Sequence, residues 1–139
     1  MSSEQNKELI RKELEAWNNK DLAAFDQLFA PNYVHHDPAQ PEVTDLEGMK
    51  QFAQVMWTAY PDFNAKLESL VADEHLAVKR YTLTGTHQGD FAGMPATGNQ
   101  ISATGMTMFR IEDGKIVESW WNYDLMSMMQ QLGAIPQTA

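Results

Sequence analysis

Two side chains suited to moving protons stand where strand-like runs end: His87 and Asp124. His87 sits in Gly85-Thr86-His87-Gln88-Gly89. The glycines let a loop approach closely, and an imidazole titrates near neutral pH. Its structural alternative is a histidine bonded to loop backbone, holding a turn. Asp124 follows Trp120-Trp121-Asn122-Tyr123 and precedes Leu125-Met126. Apolar surroundings would raise its carboxyl toward a general base, while the same side chain is equally suited to cap a helix beginning at Leu125. If Asp124 is the base, Asp124→Asn removes turnover and leaves the fold intact.

Three other stretches carry weaker chemistry. His35-His36-Asp37 has metal-ligating types, but adjacent side chains of an extended segment point to opposite sides, so no metal is expected there. One of the two histidines, His36, is expected to line a cavity. Gly93-Met94-Pro95-Ala96-Thr97-Gly98 has the glycine spacing of a phosphate loop, yet Asn99-Gln100 stand where Lys and Ser or Thr are needed, so its glycines read as turn residues. Arg80 differs in parity from His87. Facing inward it would bind a carboxylate or enolate oxygen; facing outward, the favoured reading, it would pair with Glu118.

The totals bound what such groups can serve. A chain of 139 residues is one ordinary domain, and six Phe, four Trp and four Tyr can fill a substantial core. With no cysteine, disulfides, iron–sulfur clusters and thiol nucleophiles drop out. The net charge of −9 and scattered Lys and Arg argue against nucleic acid. The N-terminus shows no apolar signal region and no run approaches the ~20 residues of a membrane span. The expectation is a soluble, cytoplasmic protein.

The elements that must position these residues are legible in the periodicity. Ile10, Leu14 and Trp17 recur at helical spacing; Leu22, Phe25, Leu28 and Phe29 continue after Asp21 until Pro31; Met49, Phe52, Val55, Met56 and Ala59 share one side of a third helix, capped by Thr44 or Asp45. Tyr33 to Pro41 reads as a brief extended piece. Then Phe63, Ala65, Leu67, Ser69 and Val71 alternate like a strand, and Leu76–Thr86, Ile101–Ile111 and Lys115–Tyr123 follow as strands. A last helix ends at Gly133. Helices segregated from consecutive antiparallel strands predict an α+β fold, a strongly curved antiparallel sheet wrapping its helices into a cone with an apolar interior.

Several segments resemble the SnoaL-like polyketide cyclases of the NTF2-like superfamily over nearly the whole chain. They are Trp17–Asp21 through Phe29–Tyr33, Tyr60-Pro61-Asp62, Gly85–Gly89, Gly93–Gly98, Phe109–Ile116, and Trp120–Asp124 with Gln131–Gly133. The resemblance implies one NTF2-like domain spanning residues 1–139, a homodimer, and cofactor-independent acid–base chemistry. In the characterised cyclase that chemistry is the intramolecular aldol closure of a polyketide, without metal or covalent intermediate. Superposing the matching segments puts that cyclase's catalytic histidine at Thr107 and its aspartate at Trp121, while its second aspartate matches Asp124. Neither threonine nor tryptophan exchanges protons near neutral pH as an imidazole or carboxylate does.

The expectation is therefore a cofactor-independent enzyme of cyclase, isomerase or hydratase type acting on a small apolar, polyketide-like molecule. Its proton carriers would be His87 and Asp124, and its lining Tyr33, His36, Trp57, Thr107, Trp121 and Tyr123. If Thr107 faces inward, Ala103, Gly105 and Phe109 do too, with Ser119, Trp121 and Tyr123 beside them; the opposite parity would send Glu118, Trp120 and Asn122 inward. The alternative is a non-catalytic binding domain that kept the cone and lost the acid–base pair. A pure oligomerisation module would have no cavity.

Overall fold

A computed structural model describes residues 2–136. The elements run α1 (Ser3–Asn19), α2 (Leu22–Leu28), β1 (Phe29–His36), α3 (Leu46–Ala59), β2 (Asn64–Ala72), β3 (Leu76–Thr86), β4 (Gln100–Glu112), β5 (Lys115–Tyr123) and α4 (Leu125–Leu132). The helix starts are set by short polar side chains that take up otherwise unpaired amides. Ser2 forms a capping box with Gln5, and Asp21, Asp45 and Asp124 accept from Ala24, Gly48 and Ser127. Gly133, with φ of 82°, ends α4.

The sheet order is β1-β5-β4-β3-β2. The extended piece expected over Tyr33 to Pro41 is strand only as far as His36, but the strand starts earlier, at Phe29, where the second helix was expected to continue, and it pairs with β5 in parallel. The sheet is thus mixed rather than wholly antiparallel, because the chain returns to β1's edge only after laying down the other strands. A tight turn joins β4 and β5, where Asp113 and Gly114 both take positive φ, 50° and 76°, as a two-residue hairpin requires.

Along β4 every odd residue from Ile101 to Ile111 is buried and every even one faces out. Irregularities interrupt such alternation in the other strands, β1 among them. In β2 the register shifts between Leu67 and Ser69, so Phe63 and Ala65 face the core at one end while Leu70 and Ala72 do so at the other. Val71, which shares the sequence parity of Phe63 and Ala65, is thereby turned outward and is 62% exposed. In β5 a shift beside Arg110 and Ile111 lets Ile116 and then Ser119 and Trp121 share the inner face.

The curled sheet closes over α1, α2 and α3, whose apolar stripes supply Ile10, Trp17, Phe25, Met49, Ala53 and Met56. Asn18 ties α1 to the sheet by accepting from the Ala65 amide at 2.7 Å and donating to the Ala65 carbonyl at 2.9 Å. The turns at Tyr60-Pro61-Asp62 and Gly85-Thr86 form one joint. Asp62 accepts from both the amide and the hydroxyl of Thr86, at 2.7 Å each, and Gly85 lies against the Tyr60 ring. At Gly89 a methyl group would come within 2.5 Å of the Thr58 carbonyl oxygen, so only glycine lets this loop seat on the end of α3.

Candidate functional site

The inner face of the sheet is a lattice of cross-strand rows. Tyr81, Gly105 and Tyr123 stand side by side on β3, β4 and β5; in the next row stand Lys79, Thr107 and Trp121; then come Ala77, Phe109 and Ser119, with His35 of β1 beside Ser119. Gly105 is glycine because a methyl there would meet Tyr81 Cε2 at 2.7 Å and Tyr123 Cβ at 2.9 Å. Removing that side chain lets two tyrosines from non-adjacent strands converge over it.

The first two rows, with Trp17 of α1 and Phe52 and Met56 of α3 opposite, wall an apolar cavity of about 40 Å³. At ~10–15 Å³ per water this volume holds a few waters, so a ring-sized ligand enters only as the lining side chains give way toward the ~300–1,000 Å³ of a drug-sized pocket. Trp121 does most to narrow it: its ring meets Trp17, Phe52 and His35 edge to face, with centroids 5.6, 6.1 and 4.4 Å away.

Polar groups reach this apolar wall in three places. The Tyr81 hydroxyl is 3.1 Å from Thr107 Oγ1, and burial pushes the phenol up to about 12. Tyr123 donates at 3.1 Å to Asp37 Oδ2, while Asp37 Oδ1 accepts from the Ala39 amide at 2.9 Å. Burial raises the Asp37 carboxyl above its ordinary value despite these donors, and burial followed by the Asp37 charge drives Tyr123 far above that of a free phenol. Lys79 Nζ lies 2.6 Å from Glu13 Oε1, both side chains being almost wholly buried, and Trp17 Nε1 donates to Glu13 Oε2 at 3.0 Å.

Deeper in the cone, behind Trp121, is a fourth polar group. His35 is 2% exposed, its Nδ1 is 2.7 Å from the Tyr33 hydroxyl, and that hydroxyl is also bonded to Ser119 Oγ. His35 Nε2 has no hydrogen-bond partner among the described residues. Burial, and then the neighbouring His36, lower its pKa to about 4, so His35 is neutral at physiological pH.

Of the expected lining residues, Thr107, Trp121 and Tyr123 wall the cavity, on the parity that sends Thr107 inward. Tyr33 is buried beneath it with His35. Trp57 lies behind Trp17, donating to the Trp17 carbonyl at 3.1 Å. His36 is on the other face of the sheet, stacked on Trp120 and 2.6 Å from Glu118, so of the adjacent histidines it is His35 that turns inward.

His87 and Asp124 are not brought together at the cavity. His87 is fully buried against Tyr60, and its Nδ1 accepts from the Thr97 amide at 3.2 Å, clasping the Gly93–Gly98 loop. Asp124 is exposed and caps α4 through the Ser127 amide at 2.9 Å. Arg80 does face outward, but the partners of Glu118 are Arg110 and His36.

Sequence reasoning passed over Glu13, Asp37, Lys79 and Tyr81. Two signals were present. Glu13 interrupts the apolar stripe between Ile10 and Trp17, and Lys79 and Tyr81 share the parity of His87 on a strand whose other face is Arg80 and Thr82. Asp37 shares the parity of His35, which a metal reading of the adjacent histidines obscured.

The SnoaL-like polyketide cyclase family matches residues 7–132. Aklanonic acid methyl ester cyclase DnrD of Streptomyces peucetius is 33% identical over 135 residues, 91% of this chain and 89% of that protein. Nogalonic acid methyl ester cyclase of Streptomyces nogalater is 33% identical over 122 residues, 85% of this chain and 90% of that protein. The structure of TsrD from Streptomyces laurentii superposes with a TM-score of 0.87 at 31% identity, covering 97% and 99% of the two chains.

Proposed function

This chain belongs to the SnoaL-like polyketide cyclase family, and on that premise we propose that it closes a ring in a small apolar polyketide ester by cofactor-independent acid–base chemistry. The observation that carries the reading is the Tyr123–Asp37 hydrogen bond at the wall of an aromatic cavity. In this chain the proton-transfer work moves from the positions now held by Thr107 and Trp121 to a pair formed by the half-buried Tyr123 of β5 and the buried Asp37 just after β1.

The chemistry balances within that pair. The Tyr123 oxygen takes an acidified C–H proton as its own proton passes to Asp37 Oδ2, which burial has made a stronger base than a free carboxylate. The substrate carbanion forms a carbon–carbon bond to a second carbonyl of the same molecule, and the resulting alkoxide recovers the proton along the same path. No proton leaves the site. His87 and Asp124 keep structural roles on this reading, so Asp124→Asn, which preserves the cap, leaves turnover unchanged.

Aklanonic acid methyl ester and nogalonic acid methyl ester, the substrates named for the two relatives, are the compounds to assay. Asp37→Asn and Tyr123→Phe are each expected to lower the rate by about 10²–10⁴-fold, the usual share of a positioned acid or base. A rate unchanged in both variants refutes the assignment.

A second reading is supported by the cavity itself. Its lining is almost wholly apolar, and with Thr107 and Trp121 where the resemblance puts the acid–base pair, the chain would serve as a binding domain for small apolar molecules. Binding of either ester without conversion by the native chain favours that reading. The exposed apolar residues Val34, Val71, Leu76, Met106 and Met108 on the outer face of the sheet support a homodimer, which sedimentation equilibrium tests. No helix among the described residues is long and apolar enough to cross a membrane, which agrees with the cytoplasmic location we infer.

A further inference from the structure

The buried ammonium of Lys79 has more hydrogen-bonding capacity than the fold uses. An ammonium carries three N–H bonds. Among the described residues Lys79 donates to Glu13 alone, at 2.6 Å, with the rings of Tyr81 and Phe109 5.0 and 5.5 Å away. Lys79 also lines the cavity. Two strong donors therefore remain beside a space walled mostly by aromatic carbon.

Packing alone does not explain such a pair. Removing two charges from water costs several kcal/mol apiece, and exchanging a buried ion pair for apolar residues of similar volume is often neutral or stabilising. One cross-strand position away, Tyr81 and Thr107 share one hydrogen bond between two hydroxyls, so one hydroxyl proton is left to donate. The unused donors of Lys79 and of this hydroxyl pair line the same cavity.

Resting on the function proposed above, we infer that Lys79, held by Glu13, is the anchor for a neutral carbonyl oxygen of the substrate, with the Tyr81–Thr107 pair as second donor. The charges decide for a ketone or ester over a free acid. Glu13 already neutralises Lys79, and the Asp37 carboxylate adds to the rise that burial chiefly causes in the Tyr81 and Tyr123 phenols, so an added carboxylate meets net negative charge. A carbonyl takes the N–H donors without that repulsion. As a carbonyl gains negative charge on enolisation, the same contact strengthens, and the anchor then lowers the barrier as well as binding.

Three bicyclic probes of similar shape test this: 1-tetralone, naphthalene and 1-naphthoate, titrated against the native chain by calorimetry. A hydrogen bond to a charged group predicts that the ketone binds about 10–100-fold more tightly than the hydrocarbon, with naphthoate weakest. In the doubly substituted Glu13→Gln, Lys79→Met chain, which replaces both charges at once, the ketone preference falls to near unity. A native chain that binds none of the probes, that shows no ketone preference, or that binds naphthoate as tightly as tetralone overturns the inference. So does a double variant that keeps the preference; should that variant not fold, the native ranking decides alone. Asp37→Asn separates the two proposals, because it removes the proton path and leaves the ketone preference over naphthalene in place. Conversion of neither ester, with that preference intact, refutes the cyclisation and not the anchor.

Discussion

His35 makes the stability of this protein depend on pH in a way that can be worked from the structure. Its imidazole is buried beside Trp121 with Nε2 unpartnered, and its pKa falls from 6.5 to about 4. The folded state therefore binds fewer protons than the unfolded chain between those values. The stabilisation from keeping His35 neutral is complete above pH ~6.5, declines as pH falls, and is gone below about pH 4. At 1.36 kcal/mol per unit the shift corresponds to about 3 kcal/mol, a large part of the ~5–15 kcal/mol that holds a typical domain folded. Other groups titrate nearby. The raised carboxyl of Asp37 opposes the trend, and Asp62 and Glu118, lowered chiefly by their bonds to Thr86 and His36, reinforce it at lower pH. The measurement is thus a difference: urea unfolding followed by far-ultraviolet circular dichroism for the native chain and for His35→Gln, at intervals from about pH 7 to about pH 4. The native advantage should shrink by about 3 kcal/mol across that range. A difference independent of pH would show that a charged His35 is accommodated in the core, and would refute the argument from burial.

Further substitutions probe the rest of the site. Glu13→Ala strands the Lys79 ammonium and should cost about 3–5 kcal/mol, against little change when both charges are replaced together; chemical denaturation of the single and double variants measures the contrast. Gly105→Ala forces a methyl against Tyr81 and Tyr123 and should destabilise by about 1–3 kcal/mol, with near-ultraviolet circular dichroism reporting the displaced tyrosines. Trp121→Ala should cost about 3–5 kcal/mol and enlarge the cavity into a dry void, detected as benzene binding tighter than that of the native chain, which stabilises the variant against heat.

The native aromatic wall, its two donors and its small volume frame how a substrate would be selected. The indole of Trp121 lines the cavity and packs edge to face on His35. The Tyr123–Asp37 pair stands one cross-strand row from Thr107 and Trp121. On the function proposed above, chemistry at that row would keep the same cone and the same sheet, as a single fold carries different sites.

Much of the architecture was written in local periodicity. The helical stripe of Ile10 and Trp17, the strict alternation of β4, the caps at Asp21, Asp45 and Asp124 and the stop at Gly133 depend only on neighbours a few residues apart, so the sequence alone determined them. The inward parity of Thr107, Trp121 and Tyr123 was likewise one of two legible options. The tertiary structure decided which option held, through the register of β4 against β3 and β5. It also decided what no local pattern contains: the bulge that turns Val71 outward, the parallel pairing of β1 with β5, and the meeting of Glu13 with Lys79 and of Asp37 with Tyr123, 66 and 86 residues apart. Periodicity fixes which face a side chain takes within its own element, whereas a site is made by elements that approach one another only when the chain has folded. For that reason His87 and Asp124, prominent in the sequence, became a loop clasp and a helix cap, and a lysine and an aspartate of no distinctive spacing came to face the cavity or to hold the tyrosine that does.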